Sequence, residues 1–366
     1  MPLPLIIGAA ALAATAYGAK KGYDGYQKHS EADEIVKSAQ TRYDRNQSAF
    51  NEQEQETTFA LDRLGTLEME IGKSFSEFKT VADELLKKIS QRSGKNMEVR
   101  IPKHELQKIE SYTISAVGAL GTAVGAGAAG AAAGFAVYGG VMALGVASTG
   151  TAISTLSGVA ASNAALAAIG GGSLASGGLG IAGGTAILGA AVAAPVVAIA
   201  GWAYDSHGDA ALSNAKKINR EVDEAIRKFH KGIQLLSGAE EYARAIKRTL
   251  ASIYRQFNRY FDSLKQINDF LQEIKDRGVD AEAEIAKMGD EIVRTIENGY
   301  MLAAILTDII TTPIFKVKQI AGELVMKENG APEMLTDEDG SMILNDEALD
   351  QALSKAKNEA KEYPIA

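Results

Sequence analysis

The chain contains no cysteine, only seven prolines and 6% aromatic residues among its 366 positions. Without cysteine it has neither a disulfide framework nor a thiolate metal site. Its formal net charge of -8 argues against non-specific binding of nucleic acid, because that mode needs a basic face to neutralise phosphates. What is abundant is Glu, Lys, Gln, Ala and Leu, and these residues favour long helices.

Charge is absent altogether from residues 111–204, a stretch of mostly Ala and Gly in an otherwise heavily charged chain. About 20 apolar residues cross a bilayer as a helix, so this stretch is several times longer than one span. It predicts a hydrophobic membrane-insertion hairpin, with helices over 112–147 and 181–204 and a Gly-rich turn over 170–180. The alternative is a buried core hairpin of a large soluble helical protein. We favour that arrangement for the resting state, since the flanking helices have enough apolar surface to cover the stretch.

Small residues recur inside this stretch at the four-residue spacing that lets helix backbones approach closely in lipid. Each glycine costs up to about 1 kcal/mol relative to alanine in a helix interior. What it permits is the close approach of helix backbones. Two aromatic rings at the end of the stretch are typical of a membrane–water boundary. The candidate insertion and helix-packing residues are Gly121, Gly125, Gly130, Gly134, Gly180, Gly184, Pro195, Trp202 and Tyr204.

The sequences on either side predict long helices that each carry an apolar stripe. Apolar residues of 29–93 and 209–277 follow one another at steps of three and four, the spacing of amphipathic or coiled-coil helices. We expect a helix break at 94–102, a second helix from about Lys103, a short break near Gly238 and a further helix over 279–311. The acidic C-terminal part predicts a hairpin over 334–344, with Asp339 and Gly340 at its turn, and a last helix over 345–362.

These segments predict an all-α fold, an elongated bundle of long antiparallel helices with an uncharged Gly/Ala-rich helical hairpin as insert. The expected domains are an apolar N-terminal helix (1–26), two parts of the bundle (27–110 and 205–326), the hairpin (111–204) and an acidic C-terminal hairpin and helix (327–366). Residues 1–19 are uncharged and precede Lys20 and Lys21. They form either a marginal anchor, which leaves the rest cytoplasmic by the positive-inside rule, or a helix packed in the bundle.

No pattern predicts an enzyme, a bound cofactor or a metal ion. Gly72-Lys73-Ser74 resembles the end of a phosphate-binding loop, but Leu67 stands where that loop needs a glycine, and no strand pattern precedes it. The carboxylates around Gly340 lack the ligand series of a calcium loop. The four histidines have no metal-ligand spacing; they are His29, His104, His207 and His230.

The layout over residues 27–320, a long helical bundle interrupted once by an uncharged insert, resembles the α-helical pore-forming toxins of the cytolysin A type and the related multi-component toxins. The resemblance implies a rod of packed helices and an apolar head that is shielded in the soluble form, enters the membrane and then assembles into a ring. The insert here is unusually long for that pattern. The lysines that trail the apolar N-terminus favour a role on the cell's own membrane over secretion.

The sequence thus predicts a membrane-active protein whose hairpin inserts into a bilayer and oligomerises, permeabilising or remodelling it. The expected partners are a lipid membrane and either further copies of the chain or a related helical protein, with no nucleic acid. The expected location is membrane-associated with a soluble cytoplasmic form, and secretion stays open. Two alternatives are a permanently membrane-anchored coiled-coil scaffold that recruits a protein partner, and a soluble structural protein with an Ala/Gly core.

Overall fold

The structure is a computed structural model that describes residues 19–93, 99–123, 132–140, 208–277, 281–320, 323–325, 332–338 and 340–363. The α-helices in these ranges are α1 (Ala19–Ser93), α2 (Lys103–Ala123), α3 (132–140), α4 (Gly208–Asp276), α5 (Ala281–Ile310) and α6 (Asp346–Glu359). The strands are β1 (Gln319–Ile320) and β2 (Glu323–Leu324), and the 3-10 helix Ala360–Glu362 follows α6. The expected all-α bundle of long helices is confirmed.

The chain forms two compact units, one of Met1–Gln55 and Gly184–Leu236, the other of Glu56–Gly183 and Ser237–Ala366. Helices α1 and α4 contribute residues to both units, whereas α2, α3, α5 and α6 belong to the second alone. The two units are defined by contacts between residues, whereas the five segments expected from the sequence are defined by composition. The boundary expected at residue 110 falls inside α2.

In the first unit, α1 and α4 pair along a heptad seam. Their buried residues follow steps of three, four and seven, the repeat of a coiled coil. The ring of Phe229 packs against Tyr43 at 5.4 Å and Phe50 at 5.6 Å between centroids. Many seam residues are alanine, which permits a close approach of the two backbones. The seam consists of Ala32, Val36, Ala39, Tyr43 and Phe50 on α1, and Ala211, Ala215, Ile218, Val222, Ala225, Phe229 and Leu236 on α4.

In the second unit, the two stripes predicted from the sequence form an aromatic core. Phe257 of α4 packs against Phe75 and Phe78 of α1, each at 5.2 Å between ring centroids, and Phe78 also meets Tyr300 of α5 at 5.0 Å. Val81 of α1 is only half-buried, and Phe270 of α4 is exposed. The buried stripe residues are Leu61, Leu64, Met69, Ile71, Phe75, Phe78, Leu85 and Ile89 on α1, and Leu250, Ile253, Tyr254, Phe257, Phe261, Leu264, Leu271 and Ile274 on α4.

The helix directions agree only in part with the expected antiparallel arrangement. Helix α1 is antiparallel to α2, since Phe75 meets Tyr112 and Gly72 meets Ala116, and it is antiparallel to α5. The pairs that join α1 to α4 are instead 42 with 223 and 46 with 230 in the first unit, and 74 with 254 and 88 with 268 in the second. The difference in residue number stays near 180, so these two helices run parallel. Short loops make neighbouring helices antiparallel, and more than 100 residues separate α1 from α4.

Two expected helix boundaries are wrong. Helix α4 runs through Gly238 without a break, because this glycine is a packing position: a Cβ there would lie 2.6 Å from Cδ1 of Leu344. A single helix from 112 to 147 is also wrong. Along one helix, residues 112 and 135 would be about 35 Å apart, whereas the rings of Tyr112 and Phe135 lie 6.3 Å apart.

The C-terminal hairpin is confirmed, and it belongs to a larger arrangement. Thr336 bridges Met342 across a turn in which Gly340 adopts φ +81°, a conformation that favours glycine. Residues 315–325 add further pairing that the sequence analysis missed, through the β1–β2 pair and the bridges Phe315–Leu344 and Val317–Met334. Helix α6 follows and buries Leu349 and Leu353.

Candidate functional site

The predicted insertion residues fall mostly outside the described residues. Gly121 lies in α2, and Gly134 lies buried in α3. The close helix–helix contacts expected of the whole set stay a prediction. The residues beyond the described ranges are Gly125, Gly130, Gly180, Gly184, Pro195, Trp202 and Tyr204.

In the described part of the uncharged stretch, Tyr112 and Ala116 of α2 and Ala132 of α3 pack against one face of α1. Gly65, Glu68, Gly72 and Phe75 follow one another at three and four residues, so they lie on one side of the helix, which we call the docking face. The docking face touches Tyr112, Ala116 and Ala132. All these residues lie in the second unit.

Two glycines of the docking face allow this contact. A methyl group on Gly72 would overlap the Cβ of Ala116, and one on Gly65 would overlap the carbonyl oxygen of Ala132. A third glycine, Gly140 at the end of α3, lies in the same way against the carbonyl oxygen of Ile310 at the end of α5. At these three glycines, α2 and α3 lie in close contact with the neighbouring helices. Any side chain larger than hydrogen at these positions would push the helices apart.

A carboxyl group is buried at the centre of the docking face. Glu68 is 2% exposed, and its Oε2 accepts no hydrogen bond from any described residue. Burial raises the pKa of Glu68 well above its usual range, because the charged form loses its hydration. An ionised carboxylate here would be a buried charge without a cation among the described residues, a situation that strongly destabilises a packed interface.

Tyr112 of α2 covers the Glu68 position. Its hydroxyl donates a hydrogen bond to the backbone carbonyl oxygen of Glu68, and its ring meets Phe75 of α1 and Phe135 of α3 at 6.1 and 6.3 Å. Burial, followed by the negative charge of Glu68, raises the pKa of Tyr112 well above its usual range. This tyrosine therefore remains a neutral donor that ties the start of the uncharged stretch to the docking face.

An ion cluster fixes the charged beginning of α2. Asp308 of α5 pairs with Lys108 of α2 and, at 3.2 Å, with Lys355 of α6. Burial alone would raise the pKa of Asp308, but hydrogen bonds and charges from the two lysines outweigh it and hold that pKa below its usual range. The cluster joins α2 to two helices near the point where charged sequence gives way to uncharged sequence.

The opposite side of α2 is also apolar. Ile114 and Val117 are 41% and 43% exposed, whereas Ile109, Tyr112 and Ala116 are buried. A helix on the surface of a bundle normally presents polar residues to water, so these exposed apolar side chains of α2 are unusual. Among the described residues, no helix combines the length and the apolar character that a membrane crossing requires.

The sequence analysis missed the docking face and the ion cluster. A signal for Glu68 was present: it follows Leu64 by four residues and precedes Ile71 by three, so it occupies a position of the α1 stripe where an apolar residue is expected. Gly72 was considered only as part of a phosphate-binding loop. The partners of Asp308 lie about 200 and 47 residues away along the chain, so no local pattern indicates them.

Among the described residues, no group of three His, Cys, Asp or Glu side chains is placed to hold a metal ion. Comparison of the chain with protein families, with curated proteins and with solved structures found no match.

Proposed function

We propose that this chain is a membrane-active helical protein whose Gly/Ala-rich stretch, residues 111–204, inserts into a bilayer and oligomerises there, permeabilising or remodelling it. The observation that carries the proposal is the docking face. The start of the stretch lies against α1 through the close contacts of Gly65 and Gly72 and through the buried side chain of Tyr112. The drive for insertion is the transfer of apolar area from water, at roughly 25 cal/mol per Å².

The layout of the chain supports the same mechanism. A helical bundle with one uncharged insert resembles the α-helical pore-forming toxins of the cytolysin A type, in which a shielded apolar head enters the membrane. In our proposal α2 and α3 leave the docking face, and the insert then packs in lipid through its small residues. The partners are a lipid membrane and further copies of the chain or a related helical protein.

Dye release from liposomes tests the insertion step. In the double variant Gly125→Leu with Gly130→Leu, bulky side chains replace two small ones, so we expect dye release to be abolished while the far-ultraviolet circular dichroism is unchanged. The matched control is Ile114→Leu with Val117→Leu, which adds leucines to the same stretch without removing a glycine and should release dye normally. Equal release by the glycine variant and the unmodified protein would exclude this mechanism.

Fractionation separates the proposal from a permanently anchored coiled-coil scaffold. A chain that changes state appears both as a water-soluble species and, after lipid is added, in floated liposomes. A scaffold appears only in the membrane fraction, and carbonate washing does not remove it. A chain absent from washed membranes and from floated liposomes would favour a soluble structural protein.

A further inference from the structure

The sequence and the structure place an ionisable group, Glu68, at a position of the α1 stripe where the apolar spacing calls for an apolar residue. Glu68 lies between the two docking-face glycines, Gly65 and Gly72, directly under Tyr112 of α2. Tyr112 bonds to the backbone carbonyl of Glu68 rather than to the carboxyl group. The contact between α1 and α2 thus encloses a carboxyl group that its neighbours do not neutralise.

The charged groups on the surrounding helices do not compensate Glu68. From α2 the facing group is Tyr112, which is neutral, and α3 presents Ala, Gly, Phe and Val over 132–137. On α4, Arg248 is exposed and Tyr254 bonds to Ser74; on α5, Asp308 is held in the ion cluster. Burial is the one cause that acts on the pKa of Glu68, and it raises that pKa.

We propose that Glu68 is a release switch for α2 and α3: its neutral carboxyl allows these two helices to dock, and its ionisation drives them off the docking face. This inference rests on the proposed function, since it names how that site is regulated. The sign follows from linkage. A carboxyl with a raised pKa in the docked state favours docking at low pH, and the contribution is lost as pH rises through that raised value.

The absence of cysteine allows a direct test of docking that does not involve membranes. Ile109→Cys places one thiol on the buried side of α2, and Val117→Cys places one on its exposed side. Each is made in the full chain with Glu68 and with Glu68→Gln, and its reaction rate with a maleimide is measured from pH 5 to 9. The rate of the thiol at position 117 corrects for ionisation of the thiol itself, so the ratio of the two rates reports protection by docking.

We expect the protection of the thiol at position 109 to fall by up to about tenfold per pH unit between the ordinary pKa of a glutamate and the raised docked-state pKa of Glu68, and to level off above that value. In the Glu68→Gln chain the protection should stay high and flat across the range. Glu68→Met, an apolar side chain of similar length, is the second variant and should behave like Gln. The same pH dependence with Gln or Met, or constant protection in the unmodified chain, would overturn the proposal.

Dye release from liposomes, measured on the unmodified and Glu68→Gln chains, keeps this inference distinct from the proposed function. A pH-dependent loss of protection without any dye release leaves the switch standing and refutes membrane permeabilisation. Dye release in a chain whose protection does not change with pH refutes the switch and leaves the proposed function standing.

Discussion

At the scale of single residues, Gly72 is where α2 comes closest to α1. We expect Gly72→Ala to lower the free energy of unfolding by about 1–3 kcal/mol, because the added methyl overlaps the Cβ of Ala116. The matched control is Gly289→Ala in α5, where the nearest atom to an added Cβ is Cγ2 of Ile89 at 3.7 Å. With room available, that change should stabilise by about 0.5–1 kcal/mol through helix propensity. Urea unfolding measures both, and a stabilising Gly72→Ala would contradict the close contact.

The lowered pKa of Asp308 predicts a pH dependence of stability that is opposite in sign to the one expected from Glu68. Its pKa is lowered, so its contribution to stability is present above the ordinary pKa of aspartate and is lost as pH falls through the lowered value. We expect Asp308→Asn to reduce the free energy of unfolding by about 1 kcal/mol at pH 7, and the difference from the unmodified chain to close in strong acid.

The control for the ion cluster is Asp83→Asn, which removes an exposed ion pair between Asp83 and Lys79, both on α1. Exposed pairs four residues apart contribute only about 0.3–0.5 kcal/mol, so this variant should remain close to the unmodified chain. Equal losses in Asp308→Asn and Asp83→Asn at pH 7 would mean that Asp308 is an ordinary surface carboxylate.

At the scale of helices, the periodic stripes were enough to predict helices over 29–93 and 209–277 and the apolar core that they form in the second unit, since apolar spacing depends on local sequence alone. The same reasoning failed at Gly238, which resembles a break but accommodates Leu344 from a hairpin about 100 residues later. It also failed for the direction of α4 relative to α1, which no stripe encodes. The docking face depends on contacts between distant residues, and its one local sign, an acid between Leu64 and Ile71 in the α1 stripe, was missed.

The parallel direction of α1 and α4 can be checked by cross-linking in this cysteine-free chain. Two double variants are made, Ser74→Cys with Tyr254→Cys and Lys88→Cys with Asn268→Cys. A short thiol cross-linker should join each pair rapidly, because the original side chains are in hydrogen-bond contact. The swapped pairs, 74 with 268 and 88 with 254, lie about 21 Å out of step along parallel helices and should not react. Rapid linkage of the swapped pairs would indicate antiparallel helices.

At the scale of the whole molecule, our proposal makes docking and insertion separate steps that use different glycines. Those on α1 and at the end of α3 act where the stretch is stored, whereas those at 125 and 130 act, in our proposal, between helices in lipid. A chain that stores an apolar stretch has to hold it strongly enough to remain dispersed in water and weakly enough to release it. In our proposal, close backbone contact around the buried carboxyl group of Glu68 meets both requirements, because its ionisation shifts the balance between the docked and the released state.

Combining the two kinds of variant tests this order of steps. Gly72→Ala weakens storage, so it should increase the fraction of protein that floats with liposomes and the rate of dye release. Adding Gly125→Leu and Gly130→Leu should leave flotation high but abolish release, because the stretch is freed yet cannot pack in the bilayer. Gly289→Ala serves as the control and should change neither. Dye release by the triple variant equal to that of Gly72→Ala would place the 125 and 130 glycines outside the permeabilising step, and reduced flotation of Gly72→Ala would mean that the docking face does not restrain the stretch.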